Sequence, residues 1–485
     1  MELRDLFVER DIPAWVYDSL AKFAKDPPLQ VNCAYATRAF VRKQYEPAIV
    51  KTMAEKTLPL AGNFLGSNPD NHDCADFTCD TMIECTYKKG NKGRMASFKM
   101  GPKIVAVLRH FAKPENWDKP LVDKCLQVLG NLTYEATNNL LIAEEGIVPG
   151  MLDALSTSEF VKKTASLVLG CTGNMSYEYD PAVLAKITND GAIKIYAECL
   201  KHFDASGDLE MFILTADGLA NIAHNAEICA VIRKFDLIGY ILRTLKGNQE
   251  NARVCYKLTR CLYRLCSDDG IRQQVIDRNG HEVIIETTDN LFEDPGTCLN
   301  CLRLMNCLAA VKDDDLFEDI FQAGIPKVVI EKYRLPDETE EQIGEGGAKT
   351  PGSAKSFKSK VSGMSRLPTE PPESGPGWSG GLGKPHVTEC LKLLRKMAHH
   401  EAASLMTGAT FGVAMFETMN KQIDARDIQI PVQDLCRDLL DRDENNDPLY
   451  YAEGIPALKN VLERWDFDPA VAIKVIFFPK KPKGT

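Results

Sequence analysis

Residues 137–175 read TNNLLIAEEGIVPGMLDALSTSEFVKKTASLVLGCTGNM, and the punctuation of that stretch decides the fold. About ten residues of mixed polarity end at Gly146. A short apolar run follows, then a polar turn, STSEF, and then a longer segment with apolar residues at three- and four-residue steps, the helical signal. Short, short, long is a three-helix unit. Working outward, the same glycine returns: Gly101 opens GPKIVAVL, Gly191 opens GAIKIYA, Gly280 opens GHEVIIE and Gly324 opens GIPKVVI. Asp236, opening DLIGYIL, fills the one gap, so the intervals are 45, 45, 45, 44 and 44 residues. A constant period in the forties is produced by stacked helical repeats, each covering its neighbour's apolar face. Glycine suits a tight joint between helices, where a left-handed backbone position is needed.

The long segments LVDKCLQVLGNLTYE, VKKTASLVLGCTGNMSY, EMFILTADGLANIAHN and ENARVCYKLTRCLYRLC fall in register as third helices. Near their ends stand Gly130-Asn131-Leu132, Gly173-Asn174-Met175 and Ala220-Asn221-Ile222. This unit length, the joint glycine and the G-N-L or A-N-I motif together resemble armadillo repeats. The resemblance is strong over 101–335 and weaker over 385–478, with a basic tail at 479–485. It implies an all-α, right-handed α-solenoid, a superhelix of armadillo-like three-helix repeats.

Residues 1–100 read as an N-terminal cap plus a divergent first repeat. ATRAFVRKQYEPAIVKTMAEKTL looks like a first and second helix joined at Glu46-Pro47. A loop, GNFLGSNPDNH, then precedes a long helix near Cys74–Lys88. Between 336 and 384 the pattern fails in a stretch rich in Gly, Pro, Ser, Lys and Glu, which lacks the apolar area to offset its ordering entropy. Disorder is expected there. Because HVTECLKLLRKMAHH reads as the missing third helix of the interrupted unit, the stretch is an insertion within a repeat. Trp378 is its most unusual residue and a candidate partner anchor.

A net charge of −10 and a pI near 5.5 argue against general nucleic-acid binding, which needs a positive face. No stretch has the length and apolarity of a membrane span, and MELRDLFVERDIPAW carries charges where a signal peptide needs an apolar core. The expected compartment is the cytosol, with cytoskeletal association and the nucleus both within reach. Sixteen cysteines sit within apolar helical patterns and read as core. Cys298 and Cys301 form a C-x-x-C, with Cys307 further along, but lack a second ligand pair at finger spacing, and His72, Cys74, Cys79 and Cys85 are irregularly spaced, so both groupings read as core. No phosphate loop, HExxH or GxSxG is present, so no catalytic residue, metal or cofactor is expected and the chain reads as a non-enzyme.

Function is expected on the third helices. The resemblance implies a ladder of amides that bond the backbone of an extended peptide, with Asn131, Asn174 and Asn221 as its rungs. An amide both donates and accepts, which suits that role. Gln127, Asp217 and Arg260 stand one turn earlier, Tyr134, Tyr177 and His224 three residues later, and Arg264 on the next rung. A helix-end asparagine also serves the fold alone by satisfying backbone groups. Importin-alpha-like receptors carry Trp four residues before each Asn; Gln127, Gly170 and Asp217 stand here, and there is no Arg-rich opening arm, a departure from nuclear import. The reading is a protein-binding scaffold, of cytoskeletal, axonemal, adhesion or trafficking kind, for an extended or basic segment of a protein partner. A nuclear transport adaptor and a solenoid embracing a chaperone client or GTPase are the alternatives. Acidic runs at 313–319, 337–341 and 441–447 are expected to draw in a basic partner.

Overall fold

The computed structural model describes residues 12–42, 47–86, 89–177, 179–291 and 294–309, with isolated positions between 389 and 434. The described residues contain helices and turns and no strand. The Gly324 joint, the 336–384 stretch, the three acidic runs and the tail lie outside them. The chain divides into two compact units, the first ending at His224 and the second beginning at Asn225.

The first unit opens with α1 (Ile12–Lys22), α2 (Pro27–Arg42), α3 (Pro47–Ser67) and α4 (His72–Thr86). Three triplets follow, each opening on a nine-residue helix: α5, α6 and α7 (Lys89–Ser97, Met100–Phe111, Lys119–Leu132); α8, α9 and α10 (Ala136–Glu144, Ile147–Thr157, Lys162–Tyr177); α11, α12 and α13 (Pro181–Asn189, Ala192–Ser206, Leu209–Ile222). The second unit contains α14, α15 and α16 (Ala226–Arg233, Ile238–Lys246, Ala252–Leu265) and α17, α18 and α19 (Asp269–Ile276, Gly280–Asn290, Pro295–Leu308).

Like packs on like. In the first unit α4, α7, α10 and α13 form one layer and α3, α6, α9 and α12 a second. In the second unit α16 packs on α19, α15 on α18 and α14 on α17. The core is the seam between layers. On α7, Leu121, Val122, Cys125, Leu126, Val128, Leu129 and Leu132 are buried, a three- and four-step stripe wide enough to meet neighbours on both sides. Third helices start at recurring caps: Asp118, Asp208, Asn251 and Asp294 each accept a backbone N–H three residues on.

The joints use the left-handed position at Lys99, Gly146, Gly191, Asp236 and Asn279, with φ of 52°, 82°, 106°, 52° and 51°. Glycine therefore fills it only twice. Gly101 and Gly280 lie just inside the following helix, where they allow close approach: a Cβ there would come within 2.5 Å of Ile142 and 2.6 Å of Val275. Near the start, two expectations change. GNFLGS is not loop but the end of α3, which runs through Pro59 as one helix where later repeats have two. Gly62 belongs inside it because a Cβ would meet Met100 Sδ at 2.5 Å. And α2, expected to be the first helix of a repeat, packs against α4 in the manner of one third helix on the next.

Candidate functional site

Two faces of the third helices carry the residues singled out by the sequence, one in each unit. In the first unit the asparagines are interior. Asn131, Asn174 and Asn221 are 8 %, 7 % and 5 % exposed. The Asn131 amide donates to Thr86 Oγ1 at 3.0 Å, and that of Asn174 to the Gly130 carbonyl at 3.0 Å and Thr133 Oγ1 at 3.3 Å. Each bond reaches back one repeat to the end of the preceding third helix. Asn138, at the start of α8, adds to the seam by donating to the Leu132 and Lys92 carbonyls. Cross-repeat bonds thus occupy groups at helix ends, the Gly130 carbonyl and the Thr86 and Thr133 hydroxyls among them.

Around this spine the remaining residues differ in access. Asp217 is buried, while Gln127, Tyr134, Tyr177 and His224 are half-buried. The Lys92 ammonium stands 4.4 Å from the Tyr134 ring centroid, a cation–π contact. The His224 Nε2 lies 2.9 Å from the Ser176 carbonyl, and its ring meets Tyr179 at 5.2 Å. At Gly170, where an importin-alpha-like chain has Trp, a Cβ would meet nothing within 4 Å, so the gap on that rung is open space.

At the other end of the same helices runs a set of ion pairs that the sequence pattern does not announce. Asp80 lies 2.7 Å from Arg38 and 2.9 Å from Lys124, which also meets Asp76 at 2.5 Å. Asp123, 3 % exposed, accepts from Lys119 at 2.9 Å, Lys163 at 3.0 Å and Thr164 Oγ1 at 2.8 Å. Burial pushes the Asp123 carboxyl up, but the bonds from Lys119, Thr164 and Lys163 outweigh it and hold the group below the ordinary carboxylate value. For Lys124, burial lowers and the two aspartates raise, with a net rise. The partners again lie about one period apart, which makes them visible only after the repeats are stacked.

In the second unit the corresponding face is basic. On α16, Arg253, Lys257, Arg260 and Arg264 follow at steps of four, three and four, one helical stripe. Lys257, Arg260 and Arg264 are half-buried and Arg253 is exposed. The helix contains no acidic residue. Two tyrosines flank the stripe, with Lys257 at 5.7 Å from the Tyr256 ring and Arg303 of α19 at 5.8 Å from the Tyr263 ring. Asn300 and Thr297 of α19 donate back to the Tyr256 and Ala252 carbonyls, and Asn306 donates to the Glu389 carbonyl at 2.8 Å and carboxylate at 3.0 Å.

Cys74, Cys79, Cys85, Cys298 and Cys301 are buried in helix seams and Cys307 is half-buried, while His72 stands on the surface bonded to Asp73 and Asp118. Burial raises Cys74 to about 12, so it is a thiol packed as a small hydrophobe. Among the described residues no helix is long and apolar enough to cross a membrane.

No family model matches the chain, and no curated protein matches it. Solved structures do. An engineered protein from the Northeast Structural Genomics Consortium superposes with a TM-score of 0.67 at 13 % identity, over 95 % of this chain and 97 % of that one. A structure concerned with a conserved phosphorylation switch that controls the interaction between cadherin and beta-catenin superposes with a TM-score of 0.63 at 12 % identity, over 97 % and 90 %. The likeness is one of fold. The chain is an all-α solenoid.

Proposed function

We propose that the chain is a non-enzymatic, armadillo-type scaffold that holds an extended segment of a protein partner on its third helices. The observation that carries the reading is the basic stripe Arg253, Lys257, Arg260 and Arg264 on α16, bracketed by tyrosines. Arginine forks suit carboxylates, and tyrosine adds contact area at low entropic cost. This favours an acidic segment on the second unit, rather than the basic one that the acidic runs of the sequence suggest. In the first unit, Asn131 and Asn174 act as supports, and Gln127, Tyr134, Tyr177 and His224 are the side chains available to a partner. That one solved structure of this fold concerns the interaction between cadherin and beta-catenin is in keeping with a protein-binding role. The bond from Asn306 to Glu389 supports a further assignment: the segment after the 336–384 insertion supplies the next third helix.

A short extended peptide rich in Asp and Glu, titrated into the full chain, tests the reading. Binding should fall steeply with salt, because the pairing is electrostatic and half-exposed. The double change R260E and R264E should weaken it at least about tenfold, close to 1.4 kcal/mol, with the helical signal retained. Equal binding of a Lys-rich peptide, or indifference to the charge reversal in a folded variant, would remove α16 as the recognition face.

A further inference from the structure

The loop leaving α10 carries a feature that neither third-helix face uses. Tyr179, Asp180 and Pro181, with Ala136 and Asn139 from one repeat earlier, line a cleft of about 400 Å³. It lies where α11 packs beside α8, so both walls are opening turns of first helices.

Three properties of the lining converge. Asn139 is only 5 % exposed, yet its Oδ1 has no hydrogen-bond partner. A buried carbonyl without a donor is uncommon in a folded chain and asks for one. Tyr179 is 60 % exposed although its ring rests against His224, so an aromatic surface stands open beside the cleft. Asp180 uses Oδ1 to cap α11 through the Ala182 and Val183 N–H groups and brings a full negative charge to the rim. The two helix N-termini oppose that charge with about half a unit each. Asp180 and Glu135, which immediately precedes Ala136, exceed them together, with Lys92 of α5 facing Glu135.

We propose that this cleft receives an arginine side chain of a partner polypeptide. The guanidinium would stack on Tyr179, pair with Asp180 and supply the donor that Asn139 lacks. A planar cation with five N–H groups meets all three demands at once, which neither an anion nor an apolar side chain does. The site lies in the first unit and is independent of the acidic segment proposed for α16.

The test uses the full chain with ¹³C-labelled tyrosine and an acetylated, amidated Gly-Arg-Gly peptide, with Gly-citrulline-Gly as the uncharged isostere. The Tyr179 ring signals should shift saturably with the arginine peptide, and the citrulline peptide should bind at least about tenfold more weakly. Asp180→Asn keeps a good helix cap while removing the charge, so it should weaken binding without lowering the melting temperature. Asn139→Leu, which removes the orphaned carbonyl, should also lose affinity. If that variant fails to fold, Asp180→Asn still decides the matter. No saturable shift at Tyr179, equal binding of citrulline, or an unchanged affinity in Asp180→Asn would overturn the proposal.

Discussion

The third helices α10 and α16 hold the same place in their repeats and carry their cations differently, two lysines at the start of α10 and a stripe of four along α16. On α10, charged residues are paired with the neighbouring repeats: Lys163 is answered by Asp123, and Lys162 by Asp208 and Glu210. Its asparagine donates backwards into the stack. On α16, four cations share a stripe with no acidic residue on the helix. Position in a solenoid therefore sets which residues face a neighbour, but not whether they bind it or something else. In the first unit these polar side chains knit the repeats together; in the second, Thr297 and Asn300 of α19 reach back to α16, which adds a stripe of cations beside Tyr256 and Tyr263.

The strongest way to break this contrast is to remove the knitting. Asn131→Ala with Asn174→Ala removes the buried amide donors to Thr86 Oγ1, Thr133 Oγ1 and the Gly130 carbonyl, which is left with the Thr133 hydroxyl alone among side chains. A loss of about 2–5 kcal/mol follows from two such deletions, read as a lower melting temperature and urea midpoint. If those stay unchanged while a partner is released, the asparagines are recognition residues and the two units are alike.

A smaller effect sharpens it. The folded value of Asp123 lies below its unfolded one, so the stability it contributes is present above about pH 4 and is lost as pH falls through the folded value. Asp123→Asn should therefore lower stability near neutrality by about 1 kcal/mol and flatten the acid limb of the stability curve. An unaltered acid limb would mean that this buried cluster does not couple the repeats.

The least effect is expected at Lys162. Its side chain is 53 % exposed, so its pairs with Asp208 at 3.0 Å and Glu210 at 2.9 Å sit in contact with solvent. Lys162→Ala should change stability by less than about 0.5 kcal/mol in a thermal melt at physiological salt. A larger loss would show that the rim pairs act as a network rather than singly.

The repeats were legible because apolar spacing and the joint glycine act locally. Gly146 and Gly191 stand where a left-handed residue is needed, and the sequence marks them directly. Lys99 and Asn279 take that position with a glycine close behind, so reading the glycine yields the correct period and a joint one or two residues late. The continuous α3 was hidden because Gly62 and Gly66 suggest a loop, whereas Gly62 makes room for Met100 from another element. The site was harder. In-register asparagines announce a common environment, but not whether the amide faces solvent or the previous turn of the stack. Arg38, Asp80 and Lys124 carry no local signal at all, since each lies more than forty residues from its partner and looks like an ordinary surface charge.

The backward reach of Asn174 to Gly130 and of Asn131 to Thr86 has a consequence for editing the chain. Donor and acceptor recur with the period, so a segment cut at equivalent positions carries its own plug and leaves its own socket. Joining residue 130 directly to residue 174 would bring Asn174 opposite Thr86, the place Asn131 now holds. Unit number is thus a modular variable of this architecture: whole periods are exchangeable parts, whereas a deletion of any other length mismatches the connection at the join.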